Sequence, residues 1–314
     1  MAKVSVVMPA YNVASYIGAA VASVQAQTHR DWELLIVDDG STDDTGVMAE
    51  ACAEADPRIR VFHRENGGIA AARNTALAHS SGAFIAILDS DDLWQPQFLA
   101  EQLAVFDAHP DVDLVTGNGW YLGGRLHART VRPFPDTRPQ PTLTTILSDE
   151  TAVFIMSVFR RQVYETIGGF DETLRTNEDY DYWLRAAIAG FGFWRNDRPL
   201  GHYRRREDSM SAVEVRMLTG ILRVFRKLRE ALLDRPAELA ILDRQCARFE
   251  RELLAAQARF ALSTGEQQAA ADHLSALYAS GGGPVVGVAS FMARRAPRLL
   301  SRAYQLRRAY LRTS

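Results

Sequence analysis

Asp89, Ser90, Asp91 and Asp92 stand side by side in the chain, and carboxylates packed this closely repel one another unless a cation or hydrogen-bond donors compensate. Hard divalent ions such as Mg²⁺ or Mn²⁺ bind through one or two carboxylates while bridging substrate phosphates, so the cluster predicts a metal and diphosphate site. A turn followed by a helix cap accounts for one of these carboxylates but leaves the others unexplained. Asp38 and Asp39 precede Gly40 and have the acceptors to read a base imide or a ribose hydroxyl. Taken alone, that pair is equally suited to a turn and a cap. Tyr11, within Pro9-Ala10-Tyr11-Asn12, offers a flat face for a nucleobase. Arg73 follows the Gly67-Gly68 loop and brings a guanidinium suited to phosphate, although a lone helical arginine is ordinarily solvated. Glu178 and Asp179 open a helix with Tyr182, Trp183, Ala186 and Ala187 at helical spacing, so their carboxylates project from its first turn. Complementing the helix dipole is the simpler reading of that pair.

These side chains need rigid ends to hang from, and the chain supplies them by alternating strand and helix. Val4 to Met8 is an apolar run of strand type leading into Pro9-Ala10-Tyr11-Asn12, and Leu34 to Val37 is a second, leading into Asp38-Asp39. Ile59 to Phe62 is a third, and Phe84 to Leu88 a fourth that runs straight into Asp89. Helical spacing lies between them: Ala14 to Gln25 with Ile17, Val21 and Val24 on one face, a helix capped by Ser41 or Thr42, and another from about Gly68 to His79. The alternation predicts an α/β fold with a mostly parallel central sheet flanked by helices. Polar clusters at the carboxyl ends of its strands are where such sheets bind ligands. Beyond Asp111 the pattern is mixed, with strands expected at Val112–Thr116 and Thr151–Phe159 and helices near Gln162–Ile167 and Asp179–Ala189. The catalytic domain is expected to span residues 1–211.

The chain has 314 residues, 47% of them hydrophobic, enough to bury a large core. Its net charge of −2 provides no global basic field for nucleic acid. Cys52 and Cys246 lie far apart, which predicts no disulfide framework and a reducing, cytoplasmic setting. A strand begins almost at once, so no signal peptide is expected, and no apolar run approaches the roughly 18 residues that span a bilayer. From Ala212 the composition turns to Ala, Leu and Arg, and Val215, Leu218, Leu222, Phe225, Leu228 and Leu232 form one stripe. Pro236 starts a further helix. Residues 212–281 therefore read as an all-α extension, with a surface suited to a homodimer. Gly281-Gly282-Gly283-Pro284 marks a break, and 282–314 is a basic tail. From Phe291 this tail carries Arg294, Arg295, Arg298, Arg302, Arg307, Arg308 and Arg312 without an acidic residue, interleaved with Leu299, Leu300, Tyr304, Leu306 and Tyr310. Two readings stand: an amphipathic helix on the anionic inner face of the cytoplasmic membrane, or a helix packed on its own domain with a solvated basic face.

Taken in order, VVMPAYN, VDDGSTDDT, ENGGIAAARN, LDSDD, GGFDE and NEDYDYWLR resemble the family 2 glycosyltransferases, inverting enzymes of the GT-A fold that use nucleotide-sugar donors. The resemblance covers about the first two-thirds of the chain. It implies that Pro9, Ala10, Tyr11 and Asn12 line the nucleotide pocket, with Asp39 reading a base, usually uracil, and Asp38 and Gly68 beside it. It places Arg73 near the base or diphosphate, Asp89 at the ribose or the metal with Ser90 adjacent, and Asp91 as chief ligand of Mn²⁺ or Mg²⁺. Asp179 matches the family's general base, with Glu178, Trp94 and Trp183 expected on the acceptor side. The implied reaction moves a sugar, from UDP in the first instance, to a hydroxyl of a glycan or lipid-linked acceptor of the cell envelope.

One departure stands out. Many relatives carry a histidine two residues after a Tyr-Arg pair, where this chain has Arg206 after Tyr203-Arg204. His202 precedes the pair and points to the opposite face of a strand from Tyr203. Arg204 or Arg206, with Ser209 and Ser211, is therefore expected to hold the diphosphate on a lid-like segment. Pyrophosphorylase and dinucleotide oxidoreductase readings fail because no glycine-rich loop follows the first strand. An inactive sugar-nucleotide-binding scaffold is the remaining rival, and the presence of both Asp91 and Asp179 weighs against it.

Overall fold

The structure, a computed structural model, describes residues 3–205, 214–300, 302 and 304. Every residue of the first strand, β1 (Val4–Ala10), and of β2 (Trp32–Asp38) is buried, as expected for continuous apolar runs covered by helices on both faces. Helix α1 (Ala14–Gln25) follows β1, and α2 (Thr45–Ala55) follows β2 and leads to β3 (Ile59–His63). Helix α3 (Ile69–His79) then carries the chain back to β4 (Phe84–Ile87), on the far side of β1. Strands β3, β2, β1 and β4 pair in parallel, with Val7 opposite both Leu35 and Ile87 and Ala10 opposite Asp38. Tyr11, Asp39 and Asp89 thus leave the sheet at one edge, beside the point between β1 and β4 where the strand order reverses.

After β5 (Leu93–Trp94) and α4 (Phe98–Ala108), the sheet becomes mixed. Its remaining parts are β6 (Leu114–Leu122), α5 (Leu143–Ser148), β7 (Ser157–Arg160), α6 (Arg161–Ile167), α7 (Glu178–Ile188) and β8 (Phe193–Arg204). The full order is β3-β2-β1-β4-β7-β6-β8-β5. Strand β7 runs antiparallel to β4 and β6, β8 is parallel to β6, and β5 is antiparallel to β8. Two expectations are corrected here. The strand sought over Thr151–Phe159 begins only at Ser157, and Asp149 instead turns the chain by accepting from the amides of Thr151 and Ala152 through its side chain and carbonyl. Ser41 and Thr42 do not cap α2; they bond Asn12, while Asp43 accepts from the Thr45 amide.

One buried carboxylate locks the entry to this sheet. Glu33 on β2 accepts from the Ser5 hydroxyl at 2.7 Å and from the Ser81 amide and hydroxyl at 2.7 and 2.8 Å, with the Lys3 ammonium 3.3 Å away. Burial alone would raise its pKa, but these donors lower it to about 2. The folded-state pKa lies below the unfolded one, so the stabilisation is complete above the ordinary glutamate range and is lost as the pH falls towards 2. Glu33→Gln is expected to cost about 2–3 kcal/mol at neutral pH and to flatten the acid arm of the stability curve between pH ~4.5 and ~2, as read by urea melts across pH.

The described residues divide into two compact units, 3–205 with Leu228–Ile241, and 214–227 with 242–300, 302 and 304. The second contains most of α8 (Glu214–Leu228) and of α9 (Pro236–Thr264), together with α10 (Gln267–Ala279) and α11 (Pro284–Arg295). Its core includes Leu222, Phe225 and Phe249, with the two phenylalanine ring centroids 5.8 Å apart, and two clusters rich in small residues: Ala258, Ala271, Leu274 and Ala293 form one, and Ala261, Leu262 and Ala270 another, with Leu300 packed on both.

Candidate active site

The centre of the site is a guanidinium. Asp39 prepares it: its two carboxylate oxygens accept from the amides of Gly67 and Gly68 at 3.0 and 2.8 Å, and Arg64 Nε lies 3.1 Å away. Gly68 takes φ +92°, a conformation open to glycine, to start α3. One turn into α3, Arg73 is 1% exposed. Its Nη2 donates to Asp89 Oδ1 at 2.8 Å and its Nη1 to Glu178 Oε1 at 2.6 Å. The end of β4 and the first turn of α7 are therefore held by one side chain. Burial works against the charge on Arg73, but Asp89, Glu178 and Asp179 hold its pKa above the ordinary arginine value.

Helix α7 gives Asp179 a rigid base. Asn177, left-handed at φ +62°, turns the chain into the helix, a conformation asparagine tolerates. Tyr182 and Trp183 are buried beneath it, Tyr180 Oη donates to the Ile146 carbonyl at 2.8 Å, and Arg185 ties Asp181 to the carbonyls of Ile167 and Gly169. Asp179 itself is half-buried and accepts from the Tyr180 amide at 2.8 Å. Burial raises the pKa of both Glu178 and Asp179, and Arg73 opposes the rise. A carboxylate so raised is a stronger base than a solvated aspartate.

The acidic loop after β4 is clamped from β8. Asp92 is buried, and its Oδ1 accepts from the Arg204 amide at 2.7 Å, while Arg204 Nε donates to the Asp91 carbonyl at 2.8 Å and its guanidinium lies 4.6 Å from the Tyr16 ring. Burial, then Asp91 and Asp89, push the Asp92 carboxyl well above its ordinary range, and among the described residues its Oδ2 has no hydrogen-bond partner. Among the described residues, no three His, Cys, Asp or Glu side chains form a cage for a metal ion. The loop instead offers the half-buried Asp89 and Asp91, a donor set that fits Mg²⁺ or Mn²⁺ completed by water and substrate oxygens.

The remaining predicted residues divide. Tyr11 is exposed at the end of β1, beside buried Pro9 and Ala10, and Asn12 at φ +51° is tied to Ser41 and Thr42. Ser90 is buried within its loop. Asp38 is turned away from the base-reading role expected of it: its oxygens bond the Ser41 amide and His63 Nδ1, both at 3.1 Å. Arg73 is buried, and its two Nη atoms are taken by Glu178 and Asp89. Trp94 and Trp183 are core side chains, Trp94 stacked on Phe98 at 4.3 Å and Trp183 edge-on to Phe159 and Tyr182, so their faces are closed to an acceptor. His202 pairs with Gln95 at 2.7 Å. Arg206, Ser209 and Ser211 lie outside the described residues. Sequence reasoning missed the Asp92 clamp on β8 and the partners of Arg73; Glu178 lies 105 positions from Arg73, and no local signal joins them.

The family model described as "Glycosyl transferase family 2" matches residues 5–168. An uncharacterized glycosyltransferase of Rickettsia felis is 34% identical over 192 residues, 59% of this chain; the chain spans 30% of that relative's length. TuaG of Bacillus subtilis, a glycosyltransferase named for teichuronic acid biosynthesis, is 31% identical over 67% of this chain and 81% of its own length. Among solved structures, residues 1–349 of Staphylococcus aureus TarS in complex with UDP-GlcNAc superpose with a TM-score of 0.65 at 22% identity, covering 99% of this chain and 92% of that one. The mannosyltransferase PcManGT of Pyrobaculum calidifontis, in complex with GDP-Man and Mn²⁺, also gives 0.65 at 22% identity, covering 99% and 85%. At that identity the two structures speak for the fold, which is of the GT-A type.

Proposed function

The chain belongs to glycosyl transferase family 2, and from that premise we propose that it transfers a sugar, with inversion, from a nucleoside-diphosphate donor to a hydroxyl of a cell-envelope glycan or lipid-linked acceptor. The observation that carries this reading is the union of Asp89 and the Glu178-Asp179 turn through buried Arg73, which sets a donor-binding loop and a candidate base on one rigid frame. Tyr11 offers its face to the base, and Asp39 with the Gly68 turn frames the base edge. The acceptor hydroxyl attacks the anomeric carbon in line with the leaving diphosphate while Asp179 takes its proton. One displacement inverts the centre, and no enzyme nucleophile is needed. Asp91, with Asp89, would hold a divalent cation that offsets charge on the departing diphosphate. Glu178 contributes by anchoring Arg73.

The names of the structural neighbours include both a uridine and a guanosine donor, and UDP is our first choice because the family commonly reads uracil. Teichuronic acid biosynthesis in the name of TuaG favours an envelope polysaccharide built at the inner face of the membrane. The test is a thermal-shift panel of UDP, GDP, CDP, TDP and NAD, with and without Mn²⁺, on wild type and Asp91→Ala. Stabilisation by one nucleoside diphosphate that depends on Mn²⁺ and disappears in the variant is expected. No stabilisation by any of them would overturn the donor assignment.

A further inference from the structure

Helix α11 has two faces, and among the described residues only one is packed on its own unit. The inner face is made of small residues: Ser290 and Ala293 are buried, Ser290 Oγ lies 3.1 Å from Ser275 Oγ, and Arg294 is pinned to Ser275 through Nε and Nη2 at 3.0 and 2.6 Å. Beyond the helix, Leu300 continues that packing onto the clusters of α9 and α10. The outer face carries Val285, Val288 and Phe291, spaced three apart and 83, 61 and 64% exposed, and Leu299 beyond the helix end is 66% exposed. Arg295 extends the same stripe, and Arg298 and Arg302 are exposed near its end. A helix that merely packs on its domain turns polar residues to water; this one turns out large apolar side chains rimmed by arginine.

The occupant is indicated by charge. No acidic residue follows Asp272 in the sequence, so the rim has no counter-charge of its own to offer a second copy of the same surface. Apolar side chains between arginines match the boundary of an anionic bilayer, where the apolar face enters the acyl region and the guanidinium groups meet lipid phosphates. No described helix is long and apolar enough to cross a membrane. We propose that the Val285–Val288–Phe291–Leu299 face, with Arg295, Arg298 and Arg302, docks the protein flat on an anionic lipid surface. The biological sense of this docking rests on the lipid-linked acceptor proposed above; the binding itself does not.

The test is vesicle flotation of the full chain on phosphatidylcholine alone and with phosphatidylglycerol added, at low and high salt. Wild type is expected to float with the anionic vesicles, weakly with the neutral ones, and less at high salt. A Val285→Ser/Val288→Ser/Phe291→Ser variant replaces only exposed side chains and is expected to lose flotation while keeping its melting temperature. Arg295→Ser/Arg298→Ser is expected to weaken anionic binding by about fivefold per arginine, roughly 25-fold together. Failure of wild type to float, or undiminished flotation of the triple-serine variant, overturns the proposal. So does a wild-type dimer that the serine variant converts to monomer without any lipid binding, since that assigns the face to a second copy. Nucleotide stabilisation measured without vesicles reports on the donor site separately, so the two readings fail independently.

Discussion

Arg73→Met is expected to destabilise the protein by about 3–5 kcal/mol and to abolish most sugar transfer, because it leaves buried Glu178 without its cation. Asp89, the other partner, is partly open to water and better able to tolerate the loss. Adding Glu178→Met removes the stranded carboxylate and is expected to return much of the stability, as replacing a buried pair with apolar side chains of similar volume often does. Transfer is not expected to return, since the end of β4 and the first turn of α7 no longer share an anchor. Arg73→Lys offers a point charge where two oxygens on different elements need a fork, and an intermediate loss is expected. Donor affinity in the folded variants is expected to fall as well, because Arg73 holds Asp89, one of the two carboxylates proposed for the cation. Urea melts and transfer rates on the four proteins check this, and a double variant that is both stable and active would show that the bridge is packing alone.

Asp179→Asn is the second large effect. The amide keeps the shape of the side chain and an oxygen for the Tyr180 amide, yet cannot take a proton from an acceptor hydroxyl. A fall of roughly 10²–10⁴ in the transfer rate is expected. Burial raises the pKa of Asp179 in the folded state, so above that pKa its charge works against folding, and the neutral variant should melt no lower than wild type. The same shift places the acid limb of the wild-type rate profile above the range of a solvated aspartate. Removing Arg73, which opposes the rise, moves that limb to higher pH.

The parallel half of the sheet was legible because β1, β2 and β4 are short, wholly buried and mostly apolar runs. Val4–Ala10 and Trp32–Asp38 need no distant partner to declare themselves. Strand β8 was not legible: its WRNDRP stretch is charged, and Pro199 is accommodated where the register with β6 shifts near Asn118. Within the site, residue types pointed to the Asp89–Asp92 cluster, and the family resemblance joined Asp39 and Asp179 to it, without the contacts each side chain makes. Asp38 and Asp39 are adjacent in the chain, yet one is turned to His63 and the other to the Gly67-Gly68 amides. Arg73 looked like a phosphate ligand because its sequence neighbourhood is a glycine loop; only the fold brings Glu178 to it. Trp94 and Trp183 illustrate the same limit, since aromatic residues near a sugar site and aromatic residues of a core share one sequence signal.

We propose that the first turn of α7 supplies the base for a transfer whose donor binds at the ends of β1, β2 and β4. The most direct measurement separates binding from chemistry in Asp179→Asn: calorimetric titration of the nucleoside diphosphate selected by the stabilisation panel, beside the rate at which that diphosphate is released from its sugar donor in the presence of acceptor. Donor affinity within about twofold of wild type, with release slowed by two orders of magnitude or more, is the predicted result. Near-normal release in that variant would contradict the account and move the search for the base away from α7.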